Sequence, residues 1–158
     1  MMVDAALVQL DLPASARGVA KHLRYGPARR PLDDPSYRAH IEAFFGVGLR
    51  PYAPVHLRAR MRADGGLDLG WVRRTRIDGD SWTGPDVPLG EEVESYLVRV
   101  LTQGNMLREQ IVDAPQWHYP AQQLTGDGIG AGDALMLEVA QLSRRFGPGP
   151  VARMSVQI

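Results

Sequence analysis

Three carboxylate pairs stand close enough in sequence to suggest acid–base chemistry: Asp33/Asp34, Asp78/Asp80 and Glu91/Glu92. Hydrolysis needs more than proximity. It needs an acid and a base held at a set distance, a nucleophile beside its base, or a metal. All three pairs fall in stretches with loop composition, where neighbouring acids are solvated or cap turns, so none is read as catalytic. His22, His40, His56 and His118 show no metal-ligand spacing. Asp78-Gly-Asp80-Ser81 resembles the start of a calcium loop, but the later ligand positions and the closing glutamate are missing. GDGIGAG (126–132) has the glycines of a phosphate cradle without the lysine or the following helix, so it reads as a turn. No enzymatic activity, metal or cofactor is expected.

What remains is the stretch from Trp71 to Trp82, WVRRTRIDGDSW. Arg73, Arg74 and Arg76 enter it, Asp78 and Asp80 follow, and Trp82 closes it. Three roles are open. The arginines can brace a long loop by pairing with Asp78, Asp80 or Glu91–Glu92, since guanidinium–carboxylate pairs are directional and bidentate. The loop can be a protein contact surface, because arginine and tryptophan are enriched at interface hot spots. Trp82 can also stack on a sugar ring, giving contact with a host surface glycan.

The chain that positions this stretch has 158 residues, enough for one full domain or a domain of about 100 residues with a smaller companion. With 44% hydrophobic and 23% charged residues it can bury a core. Basic and acidic residues balance at 18 each, which argues against binding nucleic acid through phosphate neutralisation. All but one of the basic residues are arginine, the exception being Lys21. A GC-rich coding sequence accounts for that bias; fixed carboxylate contacts at interfaces would also favour it. There are no cysteines, hence no disulfides or thiolate metal sites. No apolar run approaches the ~20 residues of a membrane span, and Asp4 interrupts the weak apolar start that a signal peptide would need.

Glycine and proline recur throughout between short apolar runs, the pattern of an all-β domain. Strands are expected over 5–12, 19–25, 55–61, 67–71, 94–100, 106–112, 135–142 and 151–158. ADGG supplies a hairpin turn after 61. DAPQWHYPAQQL is polar and proline-punctuated, an edge strand at most. Residues 36–45 fit either a strand face or a helical stripe, and Asp34-Pro35 is a good helix start. Composition there leans to helix.

The order and spacing of the strands after residue 50 resemble a fibronectin type III domain. The residues that carry the resemblance are Trp71 on the second strand, SYLVRV (95–100) on the third, and VAQLSRRFGPGP (139–150) at the end of the sixth. The tyrosine that normally opens the sixth strand is Leu135, so the usual tyrosine corner is absent and that end must be fastened another way. The expected fold is an all-β, fibronectin type III-like sandwich over 50–158, preceded by a small β-rich segment over 1–49.

A narrower resemblance rests on four ordered blocks: GLRPYAPVHLRAR, WVRRTRIDGDSW, VPLGEEVESY and VAQLSRRFGPGP. Together they are similar to the C-terminal region of the tail hub, host specificity or baseplate multidomain protein of alphaproteobacterial gene transfer agents and related siphophages. The match runs from Leu7 to the end. It implies an extended conformation for 36–45 and a virion structural protein at the distal tail or baseplate, made in the bacterial cytoplasm. Its implied partners are other tail or baseplate proteins of the hub or fibre, with host recognition through a surface glycan as the alternative. The family's version closes a much longer polypeptide with glycosidase-like domains upstream. This chain is thus expected to be a fragment or a stand-alone form, and Met1-Met2 leans toward the latter.

Overall fold

The computed structural model describes residues 10–79 and 87–158. The chain divides into two compact units, Met1–Gly48 and Leu49–Ile158. None of the described helices is long and apolar enough to cross a membrane.

In the first unit a 3-10 turn (Ala14–Ala16) leads to β1 (Ala20–Tyr25), which pairs antiparallel with β2 (Arg38–Ala43). The strand expected over 5–12 is corrected in part: residues 10–12 are not extended into a ladder, and 5–9 lie outside the described residues. Residues 38–43 are strand, the extended conformation that the resemblance implied, and the helix that composition alone favoured for 36–45 is corrected. The reason is local. Asp34 Oδ1 accepts the Ser36 N–H at 2.9 Å and its hydroxyl at 2.6 Å, which makes a side-chain-closed turn of what reads as a helix start. Those bonds hold the Asp34 carboxyl below its usual range. The Tyr37 hydroxyl donates toward the Pro27 and Arg30 carbonyls and pins the long connection between the strands.

The second unit is a sandwich. One sheet has the order β3 (Val55–Met61), β4 (Leu67–Val72), β7 (Gln116–Tyr119). The other has the order β10 (Ala152–Gln157), β8 (Ala134–Ser143), β5 (Tyr96–Thr102), β6 (Asn105–Val112), with the two-residue β9 (Gly147–Pro148) folded back on β8. Period-two alternation puts one face of β4, β5 and β7 inside, while the inner strand β8 is buried on both faces. Leu67, Leu69 and Trp71 of β4 meet Tyr96, Val98 and Val100 of β5 and Leu135, Leu137 and Val139 of β8 in one buried cluster. Trp71 packs edge-on against Tyr96 with ring centroids 5.1 Å apart, a geometry worth about 1 kcal/mol beyond the area buried.

DAPQWHYPAQQL supplies the edge strand expected of it, β7, and adds buried anchors and a helix. Trp117 and Tyr119 are buried, and Pro120 opens a short helix α1 (Ala121–Gly126), where no helix was expected. Its only buried residue is Leu124, which anchors it to the core. Outside the core, Arg99 donates to Glu109 and Arg153 to Glu138, each at 2.7 Å. The register β6-β5-β8-β10 sets these four charges in one alternating row across the sheet.

Candidate contact loop

The connection between β4 and β5 starts where the apolar alternation of LDLGW stops and three arginines arrive. Arg73 Nη2 donates to the Val87 carbonyl at 2.7 Å, and Nη1 lies 3.4 Å from Glu94. Glu94 also accepts the Tyr96 hydroxyl at 2.8 Å, so the brace ends on a core tyrosine. Burial first, and Glu94 second, push the Tyr96 hydroxyl pKa far above its usual value. Arg76 pairs with Glu91 through Nε at 2.9 Å and Nη2 at 3.5 Å, and lies over the Phe146 ring at 5.1 Å. The Glu91 side chain is only 2% exposed. A carboxylate so enclosed is tolerated because the guanidinium meets both of its oxygens.

Arg74 points outward and stacks over the half-exposed Tyr52 ring at 4.8 Å. Thr75 Oγ1 accepts the Ile77 N–H at 3.1 Å and donates to its carbonyl at 2.8 Å, closing a tight turn. Asp78 follows in the left-handed region at φ 49° and is exposed, a conformation aspartate adopts more readily than most residues. Glu92 accepts from the Ser143 hydroxyl at 3.3 Å. Asp80 and Trp82, like Ser81 of the calcium-like start, lie outside the described residues.

Of the arginines, Arg76 meets Glu91 as the sequence allowed, whereas Arg73 goes to Glu94 and Arg74 to an aromatic face. Glu94, Tyr52 and Phe146 are partners that sequence reading missed. The separation of 21 residues between Arg73 and Glu94 leaves no local signal. Among the described residues no three of His, Asp and Glu converge as they would to hold a metal ion.

No protein-family model and no curated protein matches the sequence. Solved structures do resemble the fold. The rat CD45 extracellular region, domains d3-d4, aligns with a TM-score of 0.51 at 5% identity, over all of this chain and 74% of that one. Domains from titin align at 0.48, with 11% identity, over 77% of this chain and 36% of theirs. The protein FN3tt, in a mutant form, aligns at 0.47 and 12% identity over 68% of this chain and 94% of its own. The sandwich is fibronectin type III-like.

That fold's missing tyrosine corner has a replacement in this chain. Leu135, where the tyrosine would stand, is buried in the core. The corner between β7 and β8 is held instead by Asp127, just after α1. Arg108 of β6 donates to its two oxygens at 2.8 and 2.9 Å, and the Tyr119 hydroxyl donates to it as well. The Arg108 bonds, with the Tyr119 bond second, hold the Asp127 carboxyl below its usual pKa. Burial, then the bond to Asp127, push the Tyr119 hydroxyl up to about 12. The second glycine of the FGPGP turn is also explained. Gly149 N–H donates to the Gln141 carbonyl at 2.9 Å, and a Cβ at that position would run into the Pro51 carbonyl.

Proposed function

We propose that this chain is a non-enzymatic structural component of the distal end of a phage-like tail, at the hub or fibre attachment. There it holds other baseplate proteins or presents a surface toward the host envelope. One observation carries the reading. Each of the four sequence blocks that resemble the tail hub protein supplies a residue to the braced loop. Tyr52 comes from the first, Arg73, Arg74 and Arg76 from the second, Glu91 and Glu94 from the third, and Phe146 from the fourth. The blocks are scattered in sequence but make one structural device, a long loop fixed by its own charges and offered at one end of a sandwich. Loop arms held before binding, as 73–79 and 87–94 are, lose less entropy when a partner docks, which suits a permanent place in an assembly.

A glycan-binding adhesion module is the second reading. It is favoured by the half-exposed Tyr52 ring with Arg74 lying over it, an aromatic and a donor of the sort that sugar rings meet. Mass spectrometry of purified particles tests the first reading: the chain is expected to co-purify with tail proteins in fixed proportion. Particles that assemble and deliver their contents equally well after deletion of its gene would overturn it. Host polysaccharide bound by the chain, and lost in Trp82→Ala and Tyr52→Ala, would establish the second.

A further inference from the structure

β3 is the outer strand of its sheet, and its far edge pairs with no strand among the described residues. The hairpin to β4 decides which groups face that edge. Arg62 N–H donates to the Gly66 carbonyl at 2.8 Å. Antiparallel alternation then turns the backbone groups of Arg60 and Arg58 toward β4, and those of Ala59 and Met61 toward the unpaired edge, where β10 of the facing sheet comes near β3 without forming a ladder with it. Side chains alternate too. Leu57 and Ala59 pack on the core, so Arg58, Arg60 and Arg62 rise from the outer face, about 7 Å apart along the strand.

Arg62 is engaged by Asp64 and Asp68, both at 3.3 Å. Asp68 is also 2.7 Å from His118 Nδ1. Arg58 and Arg60 have no carboxylate partner among the described residues. Arg58 stands opposite Gly70, which in turn stands opposite Gln116. A Cβ on Gly70 would meet nothing within 4 Å. The sheet floor on the β4 side of Arg58 is therefore open.

We propose that β3 receives an acidic extended segment of a partner protein as a fourth strand. The segment's backbone pairs with Ala59 and Met61, and its alternate carboxylates reach Arg58 and Arg60. Spacing favours this partner over a compact anion, because every second residue of a strand repeats at the same ~7 Å as the arginines. Charge selects against a second copy of this chain, which would set arginine against arginine across the new ladder. Any assembly can supply such a segment, so the inference does not depend on the tail reading.

The probe is a short synthetic peptide of alternating glutamate and threonine, titrated into the full-length, isotope-labelled chain and followed by NMR and calorimetry. Binding should protect the Ala59 and Met61 amides from hydrogen exchange. Arg58→Ala or Arg60→Ala should weaken it roughly tenfold each, as expected for one charge-assisted contact. Arg58→Glu with Arg60→Glu should transfer the preference to a lysine–threonine peptide. A glutamate–threonine peptide N-methylated on its edge-facing amides leaves the protein untouched and should not bind. Equal binding of that methylated peptide, protection elsewhere on the chain, or no binding at all would each overturn the proposal. The arginines would then serve only to keep edges apart.

Discussion

The Asp127 corner offers the most direct test of how this sandwich is fastened. Asp127→Asn keeps the shape of the side chain and removes its charge. It leaves Arg108 and the Tyr119 hydroxyl to share one acceptor oxygen where the carboxylate served both. A fully buried pair broken in this way costs about 3–5 kcal/mol, and an exposed one about 0–1 kcal/mol. Arg108 is 30% exposed and Asp127 19%, which places the cost between those limits, at about 2 kcal/mol. For a domain of this size that lowers the melting temperature by roughly 8 °C. The sign of the pH dependence follows from Asp127's lowered pKa. A carboxylate whose folded pKa lies below its unfolded one contributes fully above the unfolded value, about 4, and loses that contribution as pH falls through the folded one. Urea unfolding of the wild type and Asp127→Asn should thus show a constant gap at neutral pH that closes in acid below about pH 4. A double-mutant cycle with Arg108→Met should return most of the gap as coupling. A gap under about 0.5 kcal/mol, or one that persists unchanged into acid, would refute the idea that Asp127 replaces the tyrosine corner.

Three other perturbations probe the loop and the core. Arg76→Ala strands the enclosed Glu91 carboxylate and should cost about 3 kcal/mol in chemical denaturation, much of it recovered when Glu91→Gln is added. Gly149→Ala drives a methyl into the Pro51 carbonyl and should destabilise by about 1–3 kcal/mol in thermal unfolding; an unchanged melting point would show that the turn can shift. Gln141 is fully buried, and its side-chain amide finds no hydrogen-bond partner among the described residues. Gln141→Leu should therefore be neutral or stabilising by about 1 kcal/mol, and clear destabilisation in calorimetry would point to a polar contact there.

The sandwich was legible because alternation carried it. LDLGW and SYLVRV each bury one face, and LMLEVAQL, the most apolar run, became the inner strand β8, buried on both faces through Glu138 and Ala140 as well as Leu135, Leu137 and Val139. Where pattern and composition misled, a local side-chain bond or a distant anchor outweighed them. At 36–45 the Asp34–Ser36 turn converts a helix-start motif into a strand approach. At 121–126 a helix forms in glutamine-rich sequence because Pro120 sets its first turn and Leu124 reaches the core. The loop was legible as a device but not in its wiring. Salt-bridge partners depend on which strand ends meet, and only the fold brings Arg73 to Glu94 or Arg108 to Asp127.

That wiring has a functional consequence. A loop of this length joining two core strands would, if unbraced, cost several kcal/mol to order on binding. Arg73 and Arg76 remove that cost in advance for the described arms by tying 73–76 to Glu94 and Glu91, and through Glu94 to the hydroxyl of a core tyrosine. The same commitment limits what those two arginines can offer a partner, since a guanidinium already held by a carboxylate and a carbonyl has fewer donors to give. If a partner docks on this end of the sandwich, as proposed, the described residues that the braces leave outside for it are Arg74 on its tyrosine face and the exposed Asp78. Arg74→Ala should reduce partner binding with little change in stability, whereas Arg73→Ala should reduce both together. If Arg74→Ala left binding intact while Arg73→Ala weakened it at unchanged stability, the division between bracing and contact would be the reverse of the one drawn from the geometry.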